Sequence, residues 1–255
     1  MTQASREVRR VVRLIEAGLN DCEISRRTGV PRTTVLTWRS GRTPQRERAR
    51  SACRTCGHAT HAFNDLPQSY VYLLGLYLGD GYVAAHAREV YRLSIYLDAQ
   101  YPCIVEECRD SIKKVMPNNQ VRVMSLQPAS RMNEVVCYSK QWPCLLPQHG
   151  PGRKHDRPIS LRRWQRRLFT RRPDLMLRGL IHSDGCRSIN TIRRAERTYR
   201  YDRYIFTNRS DDIRSLFGEA CDLLEIDWRQ MNATSLSVAR ASSVARLDEL
   251  VGPKR

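Results

Sequence analysis

The first forty residues carry apolar side chains at the spacing of three short helices. Over residues 6–17 the apolar positions recur every three or four residues and arginines occupy the remaining faces, which is typical of an amphipathic helix. Asn20 or Asp21 can cap a second helix over residues 22–28, and Gly29 allows the tight turn that follows it. Pro31 can open a third helix. The pattern therefore predicts a small bundle of three helices.

The third of these helices turns a polar face away from the predicted core. Val35 and Trp38 recur at helical spacing and face the first two helices. The outward side chains are Arg32, Thr33, Thr34, Thr37 and Arg39. This order of apolar and glycine positions resembles the helix-turn-helix of invertase-like and homeodomain-like proteins, whose third helix enters the major groove of DNA. The resemblance implies that these five side chains contact DNA, and an ordinary three-helix bundle is the alternative.

A nine-residue segment occurs twice along the chain. Leu73–Gly81 reads LLGLYLGDG, and Leu177–Gly185 reads LRGLIHSDG 104 residues later. Each copy places small residues on one helical strip, which lets two helix backbones approach closely. These residues are Gly75 and Gly79 in the first copy, and Gly179 and Ser183 in the second. The repeat predicts two helices that pack side by side.

Each copy of the repeat ends in an aspartate followed by a glycine. Side-by-side packing brings Asp80 and Asp184 together at one end of the helix pair. Two carboxylates held close repel each other unless they share a proton or a cation, and oxygen ligands of this type suit Mg²⁺. We therefore expect a magnesium-dependent centre at this end, with nuclease chemistry as its natural use.

The segments that follow the two copies have the same order of elements. After the first copy we predict an alternating strand over 89–97, a helix over 101–116, strands near 120–126 and 133–138, and a short helix. After the second copy we predict a strand over 199–208, a helix over 210–226, a further strand and a further helix. The doubled motif and this order resemble the LAGLIDADG family of homing endonucleases in its single-chain form. The resemblance implies an α+β fold in which two pseudosymmetric αββαββα halves form a saddle over DNA.

We divide the chain into five segments on this basis. They are a helix-turn-helix domain (1–42), a linker with a C-x-x-C pair (43–68), a first half (69–150), a basic connector (151–172) and a second half (173–255).

The resemblance also implies functional residues. It assigns metal ligation to Asp80 and Asp184, with the backbone carbonyl groups of Gly79 and Ser183. It places Lys154 beside the scissile phosphates, where a cation stabilises developing negative charge. The side chains implied to touch DNA are Arg92, Ser94 and Tyr96 on the polar face of the strand over 89–97, and Arg153 and Arg157 beside Lys154. The turn at Gly150–Gly152 predicts that Arg153, Lys154 and Arg157 lie on an exposed loop.

The sixth motif position departs from the family's name motif, in which it is acidic. Here it is Leu78 in one copy and His182 in the other. We interpret His182 as a polar residue at the rim of the site, and the alternative is a role in supporting the metal ligands.

A C-x-x-C pair follows the three helices. Cys53 and Cys56 are followed closely by His58 and His61. Deprotonated cysteine and neutral histidine at such spacings can surround a tetrahedral zinc ion. The sequence contains no second C-x-x-C, and four ligands within nine residues would be cramped. We favour a reduced pair without metal, and zinc binding is the alternative.

Composition and charge favour a nucleic-acid partner. The chain has 255 residues, with 44 Lys and Arg against 26 Asp and Glu, a formal net charge of +18. The excess is concentrated in residues 1–60, with 13 basic and 5 acidic side chains, and in residues 150–174, with 9 and 2. Arginine outnumbers lysine 39 to 5, and its planar guanidinium group forms bidentate hydrogen bonds with phosphates and guanine edges. The alternative for either segment is a solvated surface.

The apolar runs exclude a membrane-spanning protein. They are far shorter than the roughly 20 residues that cross a bilayer. The N-terminal MTQASREVRR lacks the apolar region of a secretory signal, so we expect a bacterial cytoplasmic protein that associates with the nucleoid and keeps its nine cysteines reduced. One chain already holds both halves, so we expect a monomer.

We therefore predict that the protein is a metal-dependent, sequence-specific endonuclease that cuts double-stranded DNA. A non-catalytic DNA-binding regulator that retains the fold is the alternative; the retained acids argue against it and the N-terminal helices argue for it. An RNA maturase is a third hypothesis, although a groove-reading N-terminal domain fits duplex DNA better.

Overall fold

The computed structural model of the protein describes residues 3–40, 53–58, 61–125, 131–194 and 197–252. Contacts within the chain form two compact units, Met1–His61 and Ala62–Arg255. Residues 43–52, 59 and 60 of the predicted linker lie outside the described residues.

The first unit contains three helices, α1 (Gln3–Glu16), α2 (Asp21–Thr28) and α3 (Arg32–Arg39). Asn20 caps α2, because its side-chain oxygen accepts a hydrogen bond from the backbone N–H of Glu23 at 2.9 Å. Gly29 has a φ of 74° and ends that helix, a conformation that glycine adopts without strain. Val11, Ile24, Val30 and Val35 form the core. The three predicted helices are confirmed, and Pro31 stands one position before α3 as its cap.

The second unit repeats one order of elements twice. Its first half contains α4 (Ser69–Asp80), β1 (Gly81–His86), β2 (Val90–Asp98), α5 (Pro102–Val115), β3 (Val121–Ser125), β4 (Met132–Ser139) and α6 (Trp142–Leu145). A connecting helix, α7 (Arg163–Arg171), follows. The second half contains α8 (Pro173–Asp184), β5 (Gly185–Arg194), β6 (Arg197–Thr207), α9 (Asp211–Leu223), β7 (Arg229–Asn232), β8 (Ser235–Val238) and α10 (Ala241–Val251). The α+β class and the tandem αββαββα order are confirmed.

Each half builds one antiparallel sheet of four strands. The strand orders are β1-β2-β4-β3 and β5-β6-β8-β7. On β2, Leu93, Ile95 and Leu97 are buried in the core, as the alternation along this strand predicts. On β6, Tyr204 and Phe206 are buried in the same way, and the Phe206 ring stacks on Phe217 of α9. One face of each sheet is therefore covered by helices.

The sequence predicted neither β1 nor β5 and only one of β7 and β8, and the boundaries of the predicted strands are shifted as well. Residues 89–97 are predicted as one strand, but β2 begins at Val90 and ends at Asp98. Arg88 and Glu89 both have a positive φ, near 60°, so the chain turns there before it enters the strand.

Candidate functional site

The two repeated helices, α4 and α8, cross at their small residues. A methyl group built on Gly75 would lie 2.7 Å from the carbonyl oxygen of Met176, and one built on Gly179 would lie 2.4 Å from that of Tyr72. Such contacts are too short for any real side chain, so only glycine permits this approach. The crossing predicted from the repeat is therefore present.

The ends of the two helices meet as a result. A methyl group built on Gly79 would lie 3.0 Å from the Oδ2 atom of Asp184 and would overlap the Ser183 hydroxyl. Gly79 directly precedes Asp80, the last residue of α4, and Asp184 is the last residue of α8. The absent side chain at position 79 thus leaves a cradle beside the carboxylate of Asp184.

Asp184 is held by a residue that the sequence did not single out. The side-chain N–H of Asn208 donates a hydrogen bond to Asp184 Oδ2 at 2.6 Å. Gly185, which follows Asp184, pairs with Phe206, and Gly81, which follows Asp80, pairs with Ile95. Asn208 and Leu97 each lie two residues beyond these partners, so Leu97 is the counterpart of Asn208 in the first half. Leu97 is buried in the core. The aspartates of the two halves therefore have different neighbours at this register position.

Lys154 reaches the end of α4 from the segment that joins the two halves. Its ammonium group donates to the carbonyl oxygens of Tyr77, Gly79 and Gly81 at 2.6, 2.5 and 2.9 Å. Its Nζ atom also lies 5.3 Å from the centre of the Tyr77 ring. Lys154 is thus partly buried, and the expectation that it extends from an exposed loop is wrong.

The electrostatic environment of Lys154 is set by burial and by the two acids. Burial lowers the pKa of Lys154 to about 8, while the charges of Asp184 and Asp80 act in the opposite direction. The ammonium form therefore still predominates at pH 7. A cation and two carboxylates accordingly share one end of the helix pair.

A cleft of about 510 Å³ opens at this end. Its lining includes Gly79, Lys154, Asp184 and Asn208, with Arg153, Arg157 and Arg209. Arg157 donates to the carbonyl oxygens of Gln148, Pro151 and Gly152, so it holds the loop that carries Lys154. Arg153 is exposed. The cleft combines carboxylate oxygens with a basic wall.

The chemistry of these donors fits a hard divalent cation. Carboxylate and carbonyl oxygens are the ligands that Mg²⁺ takes from proteins. The Gly79 carbonyl oxygen already accepts from a cationic group, the Lys154 ammonium. The Ser183 hydroxyl donates to the carbonyl oxygens of Gly179 and Leu180 within α8, so the atom of Ser183 that is assigned to the metal is its backbone carbonyl oxygen. The donor set is therefore suitable for metal binding at Asp80 and Asp184.

The outer face of the first sheet carries the side chains predicted to touch DNA. Arg92 pairs with Glu134 at 2.8 Å and is about one-third exposed. Ser94 is only 2% exposed, and Tyr96 is partly buried. Of these three, Arg92 and Tyr96 are thus the more accessible.

The second sheet has an outer face that sequence reasoning missed. Arg203 and Ile205 alternate with the buried Tyr204 and Phe206, so they point away from the helices. Toward the start of β6 the same alternation places Tyr199 and Tyr201 on the outer face, where their rings stack with centroids 6.3 Å apart. Tyr201 is 50% exposed. The alternation in RTYRYDRYIFT was the signal that could have identified this face.

Helix α3 presents part of its predicted polar face to solvent. Arg32, Thr33 and Thr37 are exposed, and Thr34 is partly buried. Arg39 pairs with Asp21 at 2.7 Å and donates to the carbonyl oxygen of Leu19, so it ties α3 to the start of α2. Leu36, which was not predicted as a contact, is 58% exposed on the same helix.

His182 does not lie at the rim of the site. It is 5% exposed, and its Nδ1 atom lies 2.8 Å from the hydroxyl of Tyr72. Its Nε2 atom faces the carbonyl oxygen of Val251 at 3.3 Å, which can only accept. Its Nε2 atom therefore carries a proton, and its Nδ1 atom, which also lies 4.0 Å from a carboxylate oxygen of Glu107, shares a hydrogen bond with the Tyr72 hydroxyl. His182 belongs to the buried packing around α8, and the interpretation as a rim residue is wrong.

Solved structures similar to this chain include DNA-bound endonucleases and the protein WhiA. The chain is similar to I-DmoI in complex with DNA and Ca (TM-score 0.45, 12% identity, covering 75% of this chain and 91% of that one). It is also similar to the LAGLIDADG meganuclease I-AabMI bound to uncleaved DNA (TM-score 0.45, 11% identity, 71% and 82%). The third is full-length DUF199/WhiA from Thermatoga maritima (TM-score 0.45, 15% identity, 76% and 60%). At these values the likeness is one of fold and assigns no activity to this chain.

No family model matches the sequence, and no curated protein matches it either. Within the described residues, no helix combines the length and the hydrophobicity that crossing a membrane requires.

Proposed function

We propose that this protein is a metal-dependent, sequence-specific endonuclease that hydrolyses phosphodiester bonds of double-stranded DNA. The observation that carries the proposal is the meeting of the two aspartate-bearing helix ends at Gly79, beside the Lys154 ammonium. Asp184 and Lys154 line a cleft with arginines on its wall, and the charge of Asp80 also acts on Lys154, an arrangement that suits a reaction at a phosphate.

Asp80 and Asp184 are the residues that would hold Mg²⁺, with the carbonyl groups of Gly79 and Ser183 as further ligands. The chemistry that Mg²⁺ supplies in such a site is activation of water and stabilisation of the leaving oxygen. Because each half supplies one acid, the site could cut each of the two DNA strands once.

The chain's own side chains supply position and charge. Asn208 fixes the orientation of the Asp184 carboxylate through its 2.6 Å hydrogen bond. Lys154 presents a positive charge where the negative charge of a pentavalent phosphate would develop. Its three carbonyl acceptors hold it in place before substrate arrives, so little reorganisation is needed during the reaction.

The binding of DNA is assigned to three surfaces. The outer faces of the two sheets carry Arg92, Tyr96, Tyr201 and Arg203, and α3 carries Arg32, Thr33, Thr34 and Thr37 on a helix-turn-helix. Arginine and hydroxyl side chains can contact both phosphates and base edges. The net charge of +18 supplies the nonspecific attraction to a polyanion.

The experiment begins with selection of bound duplexes from a random DNA pool in Ca²⁺, followed by transfer of the recovered duplexes to Mg²⁺. Wild type is compared with Asp80→Asn, Asp184→Asn and the double variant. Asp110→Asn, an exposed acid on α5 that pairs with Arg109, is the matched control for the loss of one charge.

We expect Mg²⁺-dependent breaks with wild type and Asp110→Asn, reduced or absent cleavage with each single variant, and none with the double variant, while binding is largely retained. Breaks that persist in the double variant would contradict the assignment of the acids. Loss of binding by the aspartate variants would indicate that these residues are structural.

A non-catalytic DNA-binding regulator is the second candidate. It is favoured by one observation, that the Lys154 ammonium contacts the Gly79 carbonyl oxygen, one of the oxygens assigned to the metal. Tight and specific binding without breaks, in wild type and double variant alike, would establish this function instead.

A further inference from the structure

The C-x-x-C turn in the first unit brings three metal-binding side chains together. Sulfur atoms of Cys53 and Cys56 and a ring nitrogen of His61 lie within 4.8 Å of one another. The closest pair is Cys56 Sγ and His61 Nε2, at 3.2 Å. The ligands of a tetrahedral zinc ion, with Zn–S near 2.3 Å and Zn–N near 2.0 Å, are separated by roughly 3.5 Å. The three atoms are therefore close enough to one another to bind a single zinc ion.

The backbone of the turn holds this arrangement in place. The N–H of Cys53 donates to the carbonyl oxygen of His58, and the N–H of Gly57 donates to that of Cys53, both at 2.8 Å. Gly57 has a φ of 69°, so the chain can reverse directly after Cys56. Cys56 is 9% exposed. A ligand at the centre of this cluster would be screened from water on the side of that sulfur.

We propose that Cys53, Cys56 and His61 bind a structural zinc ion. This inference is independent of the proposed nuclease function, because none of the three residues belongs to the cleft at Asp184. The sequence alone favoured a reduced pair without metal, because four ligands within nine residues would be cramped. His61 reaches the pair and His58 stays outside the cluster, so the local set consists of three ligands and the crowding does not arise.

These three ligands leave the fourth position of a tetrahedral zinc ion to a further ligand.

The test measures the zinc content of the full-length protein, purified without chelator under reducing conditions and reconstituted with ZnSO₄. Wild type is compared with Cys53→Ser, Cys56→Ser and His61→Ala, and His58→Ala is the matched control. We expect one zinc ion per chain in wild type and in His58→Ala, and loss of the ion from the other three. Zinc-free wild type, or a Cys53→Ser protein that keeps its ion, would overturn the proposal.

A cobalt titration tests the same site without any variant, in case the substitutions prevent folding. Co²⁺ added to reduced, metal-free wild type should give the sulfur-to-cobalt charge-transfer band and the intense visible bands of a tetrahedral thiolate site. Addition of Zn²⁺ should abolish both. The absence of these bands would contradict zinc binding at the cysteines.

Discussion

Gly75 and Gly179 face each other at the crossing of α4 and α8, so closely that a methyl group on either would lie 2.9 Å from the Cα atom of the other. The neighbouring obstacles are backbone atoms, which cannot move aside as a flexible side chain would. Replacement of Gly75 by Ala should therefore push the helices apart and destabilise the second unit by about 1–3 kcal/mol. Urea unfolding followed by circular dichroism measures this loss.

Gly150→Ala is the control for the crossing. A methyl group there would meet only the side chain of Arg157, at 3.3 Å or more. We expect a much smaller change in the free energy of unfolding. Equal effects of the two substitutions would show that the helix crossing tolerates a side chain.

Lys154→Met should lower the rate of DNA cleavage by about 10²–10³-fold, because it removes the charge assigned to stabilise the reacting phosphate. Binding of the selected duplex in Ca²⁺ should change little. Lys140→Met is the matched control, since Lys140 is exposed and makes only a 3.7 Å contact with Glu89. Single-turnover cleavage of a labelled duplex gives the rates, and an unaltered rate for Lys154→Met would remove Lys154 from the catalytic set.

Arg32 and Arg39 should respond differently to substitution although both lie on α3. Arg32→Ala should weaken DNA binding and give a shallower dependence of affinity on salt if a phosphate contact is lost. Arg39→Ala removes the ion pair with Asp21, so it should lower the stability of the first unit by up to about 1 kcal/mol. Fluorescence anisotropy at several salt concentrations and thermal unfolding separate the two effects. Unchanged affinity in Arg32→Ala would argue against the helix-turn-helix.

The buried pair of Tyr72 and His182 should show energetic coupling. His182→Leu removes the Nδ1 partner of the buried Tyr72 hydroxyl, which should cost about 1–3 kcal/mol of stability. Combination with Tyr72→Phe should restore part of this loss, because no buried hydroxyl then remains to be satisfied. A double-mutant cycle from urea unfolding gives the coupling. Strict additivity would show that the contact contributes nothing.

Asp248 should make stability depend on pH in the acid range. Hydrogen bonds from Arg187, and in smaller part from Tyr204, hold the pKa of Asp248 below its ordinary value of 3.8. A lowered folded-state pKa means that the stabilisation is fully present above the unfolded value and is lost as pH falls through the folded value. Asp248→Asn should therefore destabilise the protein at pH 7, and its difference from wild type should shrink below about pH 4.

The size of this effect is limited by solvent, because both partners are about two-fifths exposed, and we expect no more than about 1 kcal/mol. Asp202→Asn, which removes a longer 3.2 Å contact with the same arginine, is the control and should have the smaller effect at pH 7. A difference between Asp248→Asn and wild type that is constant from pH 7 to pH 3 would contradict the linkage.

The doubled motif and the resemblance that it carries were sufficient for the order of elements, although the pattern of residues did not reveal β1 or β5. The sequence was insufficient for the partners of individual side chains. The doubled motif and the alternation along β2 are local signals, and both elements form as predicted. The environment of Lys154, by contrast, depends on carbonyl groups more than 70 positions away, and Asn208 reaches Asp184 only through the register of β5 and β6. Arg39 and His182 are engaged by residues 18 and 110 positions away. Such pairings depend on how the elements pack, which periodicity does not encode.

The presence of both halves in a single chain has a consequence for any DNA sequence that the protein reads under the proposed function. In a homodimer each substitution appears twice, and the recognised sequence mirrors the twofold symmetry of the protein. Here the outer face of the first sheet carries Arg92 paired with Glu134, whereas that of the second carries stacked Tyr199 and Tyr201. Each sheet can change without altering the other, so the recognised sequence need not be a palindrome and its left and right arms can diverge independently.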